Sequence, residues 1–303
     1  MKAALAALGV DSLTIRPVRR SYAFERPGIP HGDQWVLKVT YPAAKPALPT
    51  DWSSASCAGL LGAQGSPLES LLLKRRIKGP GWLRVTCPVA TTSPGQMVSW
   101  CRVEVAAEGH KAVGPLALPP ALLAALPVPR LVVAALNLKT VVSPKTNVHE
   151  VATASLVYLS GVRQDSAMEA KEWKRQVRRL TLVRPLEGAA YPPGWQPFVA
   201  QANSGSAGQV VSSQGSERAL LSCLLAKVAD IDPDVVVGHN AVGFDLDVLL
   251  HRAAALKLGA VWHKLGRLKR KKPPHLGGGA LGTNDKAVTA ALAGRLICDT
   301  WLR

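Results

Sequence analysis

Residues 235–250 read V-V-V-G-H-N-A-V-G-F-D-L-D-V-L-L. Three β-branched residues predict a short buried strand, 238–241 a loop, and 244–258 a helix stopped by Gly259. An Asn in the loop after a strand, with an Asp in the first turn of the next helix, is one way to set a carboxylate in a cleft. Asp245 there also suits the helix dipole, so a plain helix-start role competes with a chemical one. Asn240, Phe244 and Asp245 together make a longer pattern than a lone Asp. Downstream, Arg267-Leu268-Lys269-Arg270-Lys271-Lys272 places five basic residues in six. Such a run is either a solvated loop or a phosphate contact, because Lys and Arg position a backbone without reading its sequence. No aromatic residue interleaves it, so base stacking is not predicted. Residues 171–179 are similar and read as a solvated face.

The elements that must position these residues start with a helix at 216–228. Leu220, Leu221, Leu224, Leu225 and Val228 share a face, and Ser216 can cap its start. Asp232-Pro233-Asp234 is a turn. With the strand at 235–237 this makes an α/β pattern whose strand end carries polar residues. Further back, 131–142 and 149–159 predict two neighbouring strands joined by a polar loop at 143–148. Residues 167–179 read as exposed, and 188–215 as loop. The first 130 residues, rich in Pro, read as a β-rich domain. Strands are expected at 35–41, 81–89 and 98–105, a short helix at 69–76, and a linker at 112–130.

The chain has 303 residues and a net charge of +17, with 48% hydrophobic residues. That composition excludes wholesale disorder and points to polyanions as partners. No apolar run reaches the roughly 18 residues of a membrane span, and the N-terminus lacks the pattern of a secretion signal. The five cysteines form no C-x-x-C pair and indicate neither a zinc site nor a disulfide framework. His239, His251, His263 and His275 fall twelve apart, but nothing between them repeats.

Several segments, in order, resemble the family B DNA polymerases, and within them the alpha-type catalytic subunits. They are Tyr22-Ala23-Phe24-Glu25-Arg26-Pro27-Gly28-Ile29-Pro30, Arg76-Ile77-Lys78-Gly79-Pro80-Gly81-Trp82-Leu83 and Val98-Ser99-Trp100-Cys101. Residues 131–140 and 232–252 continue the resemblance, as do Lys264-Leu265-Gly266-Arg267-Leu268-Lys269-Arg270 and Gly294-Arg295-Leu296-Ile297-Cys298-Asp299. It runs from about Ser21 onward, more loosely at 164–214.

The resemblance implies a β-rich N-terminal domain at 1–130, followed at 131–303 by an α/β, ribonuclease-H-like exonuclease domain, incomplete at its C-terminus. In proofreading members, carboxylates at three motifs hold two divalent ions. At the first motif, Asp-x-Glu, this chain has Asn137-Leu138-Lys139. Asn is a poor ligand, and a fixed Lys opposes a divalent ion. Asn240, Phe244 and Asp245 fit the second motif, and the third lies further along than these residues. The resemblance therefore implies a degenerate exonuclease holding no metal, with Asp245 vestigial at most. The palm with its paired aspartates lies beyond the chain, so it reads as part of a longer polymerase. The parent would extend primers in the nucleus, using deoxynucleotides and Mg²⁺, on DNA and RNA–DNA primer–templates. Primase and an accessory subunit would join it through other regions, and no membrane is involved. Lys264, Arg267, Lys269, Arg270, Lys271 and Lys272 are the candidate nucleic-acid contacts. Two other readings compete: a stand-alone basic nucleic-acid-binding module, and a residual metal-dependent nuclease using Asp245 and Asp247.

Overall fold

The computed structural model describes residues 1–23, 28–62, 65–91, 93, 95–186, 189–205, 208–259, 262–269 and 285–301. The chain forms two compact units, Met1–Pro88 with Ala107–Ala117, and Val89–Ala106 with Leu118–Arg303. Residues 89–106 and 118–130, expected with the N-terminal portion, therefore group with the second unit.

In chain order, the first elements are α1 (Lys2–Ala7), β1 (Thr14–Tyr22), β2 (Gly32–Thr40), α2 (Pro67–Arg75), β3 (Leu83–Val85), β4 (Val89–Ala90), β5 (Val105–Ala106), β6 (Val113–Pro115) and α3 (Pro120–Ala124). The described strands before residue 130 make three separate antiparallel pairs, β1–β2, β3–β6 and β4–β5, not one sheet. A small cluster of Leu5, Val10 and Leu48 packs with Val39 and Trp52 in the first unit. Helix α2 starts where Ser66 Oγ accepts the Glu69 N–H at 3.0 Å and ends at Arg76 in the left-handed region. The strands expected at 81–89 and 98–105 are much shorter. Across 98–104 the Glu104 carboxylate accepts the Val98 and Ser99 amides and the Ser99 hydroxyl, and these local bonds displace a ladder. The linker expected at 112–130 contains β6 and α3.

The second unit continues with β7 (Leu131–Val142), β8 (His149–Val162), α4 (Ala170–Gln176), β9 (Arg178–Val183), α5 (Trp195–Gly205), β10 (Gln209–Ser213), α6 (Glu217–Ile231) and β11 (Val235–Gly238). A π turn at Ala241–Asp245 leads into α7 (Leu246–Ala255). A 3-10 turn at Trp262–Leu265, then α8 (Asp285–Ala291) and β12 (Leu296–Asp299), complete it. Six strands form one sheet in the order β10-β9-β8-β7-β11-β12. The pairs β7–β8 and β8–β9 are antiparallel, while β7–β11, β11–β12 and β9–β10 are parallel.

Alternation along β7 sends Leu136 and Leu138 into the core and leaves Asn137 and Lys139 exposed on the other face. Leu220, Leu221, Leu224 and Leu225 of α6 and Leu246 and Leu249 of α7 cover the core face, all essentially inaccessible. Each such leucine contributes about 1.5–3 kcal/mol. The Ser216 hydroxyl caps α6 by accepting the Ala219 N–H at 3.2 Å. Helix α7 starts later than expected, because 241–245 form the π turn. It stops before Gly259, with Lys257 taking the left-handed conformation. Residues 195–205 and 209–213, read as loop, are a helix and a strand, and Arg178 and Arg179, read as the end of an exposed segment, begin β9. Asn203 fastens α5 to β10 by accepting from the Val211 amide at 2.7 Å and donating to its carbonyl at 3.0 Å.

The β7–β8 ladder slips between Lys139/Thr153 and Thr140/Val151, so Ala152 is an extra residue. The bulge turns the backbone groups of Val151 out of the ladder. Glu217 accepts the Val151 N–H at 2.7 Å, and Arg184 Nε donates to its carbonyl at 2.7 Å. Arg184 also pairs with Glu150 at 2.9 Å, and Arg252 grips Glu217 through Nε, at 2.9 Å, and Nη2. Two acids and two arginines thus close a buried, charge-balanced network around one irregular peptide.

Candidate functional site

Asp245 closes the π turn, 3% exposed, with Oδ1 3.1 Å from the Leu138 amide nitrogen. The pairing of β11 with β7 ends at Val237 opposite Ala135, so Leu138 has no strand partner on that side. The carboxylate of Asp245 fills that gap. The approach is close: a Cβ on Gly238 would lie 2.5 Å from the Ala241 methyl. Burial pushes Asp245 up to about 6, while the Leu138 amide and Lys139 pull it down and Asp299 pushes it further up.

Asn240 sits left-handed at φ 54 and starts the π turn, its carbonyl accepting the Phe244 amide at 2.9 Å. Phe244 leans on the core and meets the His149 ring edge-on at 5.7 Å. The three residues read as the second motif are therefore brought onto one turn. Asn137 and Lys139 lie on the neighbouring strand with exposed side chains, opposite Ser155 and Thr153 of β8.

Sequence reasoning gave Asp299 no part in the site. It ends β12 opposite Gly238, with Oδ2 2.9 Å from the Val242 amide and Oδ1 3.0 Å from the Trp301 amide. Burial raises its pKa, but the amides of Val242, Trp301 and Asn240 and the His239 ring outweigh that and hold it low. The signal that could have found it was the parallel strand pattern, which aligns the ends of β11 and β12. Asp247 turns into the interior, where its Oδ2 has no hydrogen-bond partner and Oδ1 lies 3.4 Å from His251 Nδ1. Burial raises its pKa against the opposing effect of His251.

These residues do not fit a divalent-ion centre. Asn137 and Lys139 stand at the positions read as the first motif and offer no carboxylate, Asp245 spends one oxygen on a backbone amide, and Lys139 adds positive charge. Among the described residues, no three His, Cys, Asp or Glu side chains are placed to share an ion. Because Asp245 keeps one oxygen on the Leu138 amide, converting Asn137→Asp and Lys139→Glu together is still expected to give no metal-dependent 3′-end trimming, followed on a labelled single strand with Mg²⁺ or Mn²⁺. Shortened products from the double variant would refute this account of the site.

The basic candidates separate into two kinds. Arg267 is internally committed, donating to Asp232 at 2.9 Å and Asp234 at 2.7 Å. Arg295 adds 2.7 Å to Asp232 and 2.6 Å to the Pro233 carbonyl, fixing the turn before β11. Lys264 is half-buried on the 3-10 turn, and the Lys269 ammonium stands 4.9 Å from the Trp100 ring centre. Arg270, Lys271 and Lys272 lie outside the described residues. An aromatic partner absent from the local sequence is thus supplied in space. Residues 98–100 run antiparallel to 267–269, through Trp100 N–H to the Arg267 carbonyl at 2.7 Å and Lys269 N–H to the Val98 carbonyl at 2.8 Å. Arg267→Ala is expected to lower stability by about 1 kcal/mol in urea unfolding, a modest loss because Asp232 keeps Arg295 and Asp234 keeps the Val132 amide. Lys264→Ala with Lys269→Ala should instead weaken nucleic-acid binding and flatten its salt dependence, with the unfolding midpoint unchanged.

No helix among the described residues is long and apolar enough to cross a membrane. Residues 62–302 match the family model described as DNA polymerase family B, exonuclease domain. The DNA polymerase alpha catalytic subunit of Oryza sativa subsp. japonica is 41% identical over 98% of the chain, and that of Arabidopsis thaliana 42% over 98%. The Xenopus laevis subunit is 35% identical over 94%. The chain spans about a fifth of the length of these relatives (20%, 19% and 18%). The mixed sheet with α6 and α7 on one face fits the ribonuclease-H-like fold of that exonuclease domain. With the ordered match over most of its length, the chain belongs to the family B DNA polymerases.

Proposed function

We propose that this chain serves as the N-terminal and exonuclease-like portion of a DNA polymerase alpha catalytic subunit. It acts as scaffold and nucleic-acid channel wall, and its exonuclease site is silent. The observation that carries this reading is the site itself. Asn137 and Lys139 occupy an exposed strand position, and the one retained carboxylate of the second motif is bonded to a backbone amide. Similarity to alpha catalytic subunits over 98% of the chain supports the assignment to that branch.

In this reading residues 1–130 correspond to the β-rich N-terminal domain and 131–303 to the exonuclease-like domain. The parent polymerase extends primers with deoxynucleotides and Mg²⁺ in the nucleus, on DNA and RNA–DNA primer–templates. Primase and an accessory subunit join it through other regions. This portion contributes no bound metal and no phosphodiester chemistry. Its charge of +17 favours the polyanionic duplex, and Lys264 and Lys269 are the contacts proposed for it among the described residues. The test is paired. The protein should bind a primer–template with an affinity that falls steeply with salt, and should leave a 3′-labelled mismatched primer intact in Mg²⁺ or Mn²⁺. Trimming of that primer, or no binding at low salt, would overturn the proposal.

A further inference from the structure

We infer that Trp100 and Lys269 form a subsite for one nucleotide of a single strand, the base on the indole ring and its phosphate on the lysine ammonium. The inference rests on the reading that this chain contacts nucleic acid. Its basis is how the ring is held. Residues 98–100 are tied to 267–269 by backbone bonds of 2.7 and 2.8 Å. The Glu104 carboxylate fixes the Val98 and Ser99 amides and the Ser99 hydroxyl from the other side. His263 backs the indole as a near-parallel ring, 5.2 Å between centres and 11° apart. Burial and the Lys264 charge hold His263 below its ordinary pKa, so it is a neutral stacking partner at physiological pH. A tryptophan anchored this firmly still leaves 46% of its surface to solvent.

The Lys269 ammonium stands over this ring at 4.9 Å. An exposed cation–π contact is worth about two- to fivefold in an equilibrium. A nucleobase stacked on an aromatic side chain is worth about five- to a hundredfold in affinity. A base can therefore take the ring, and the ammonium, on its flexible four-carbon stem, can move to the adjoining phosphate. Glu104 stands near Lys269 and weakens that phosphate contact, although three hydrogen bonds already spread its charge. The subsite consequently responds to the base more than to the backbone. Because every base has a π face, it accepts any base.

The experiment compares oligothymidylate with an abasic oligonucleotide of equal phosphate count, by fluorescence anisotropy on the whole chain. The native protein should bind oligothymidylate about tenfold tighter than the abasic strand. Trp100→Ala should abolish that preference without changing the salt slope, and Trp100→Phe should keep most of it. A thermal melt of Trp100→Ala matching that of the native protein separates loss of this contact from a general loss of fold. Equal affinity of the native protein for the two strands, or an undiminished preference in Trp100→Ala, would sink the inference and leave the proposed function standing. Failure of the native protein to bind either strand at low salt would overturn both.

Discussion

Glu217→Ala should destabilise the second unit by about 3–5 kcal/mol in urea unfolding. Glu217 is 7% exposed and serves three donors at once: the Val151 amide at 2.7 Å, Arg252 Nε at 2.9 Å and Arg252 Nη2. Alanine leaves a bulged peptide without its acceptor and Arg252 with only the distant Glu150 carboxylate, 3.8 Å away. Both losses are of the costly kind, because the stranded groups stay buried. Glu217→Gln keeps an oxygen for Val151 but unbalances the arginine, so its cost should fall between native and alanine. A Glu217/Arg252 double-mutant cycle should show strong coupling that survives raised salt, since a buried pair is poorly screened. A loss below about 1 kcal/mol for Glu217→Ala, or coupling that vanishes in salt, would show the network to be superficial.

Asp245→Asn should act in the opposite direction. Burial raises this carboxyl from 3.8 to about 6, so the folded state holds its proton more tightly than the unfolded chain does. Stability from that source is complete below pH 3.8 and is lost as the pH climbs through about 6. At pH 7.5 the ionised carboxylate therefore costs up to about 3 kcal/mol relative to a neutral group. Asparagine stays neutral and still presents an oxygen to the Leu138 amide. The variant should accordingly melt higher than native at pH 7.5, and the gap should close as the pH falls toward 4. Asp245→Ala removes the acceptor as well, so it should be less stable than Asp245→Asn by about 1–2 kcal/mol. A native-to-Asn difference that does not change with pH would contradict this account of the buried carboxylate.

The parts of the fold legible in the sequence are those whose signals are local. Strand β7 declares itself through a continuous apolar run, and α6 through leucines at helical spacing behind a capping serine. Strand β9 was hidden because Arg178 and Arg179 extend a basic stretch, and only Leu180 and Leu182 reach the core. Helix α5 and β10 sit among Pro, Gly and Ser, and Asn203 joins them by bonds that no periodicity announces. Asn240, Phe244 and Asp245 were recognisable as a pattern, but the partner of Asp245 is an amide 107 residues away. The Trp100–Lys269 contact and the Glu150–Arg184–Glu217–Arg252 network are likewise products of long-range pairing.

The alternation of β7 also bears on how a proofreading centre can decay. Positions 137 and 139 point to solvent and support no packing, so exchanging a carboxylate there for Asn or Lys asks nothing of the rest of the domain. Position 245 is different, because it lies inside the structure and its side chain is the acceptor of the Leu138 amide. The two halves of such a centre are therefore held by different forces. Packing constrains the turn, and only the chemistry of the site constrains the strand positions. In a site that does not cleave, the strand ligands can therefore be exchanged at little cost to folding, while exchange at the turn is felt by the interior.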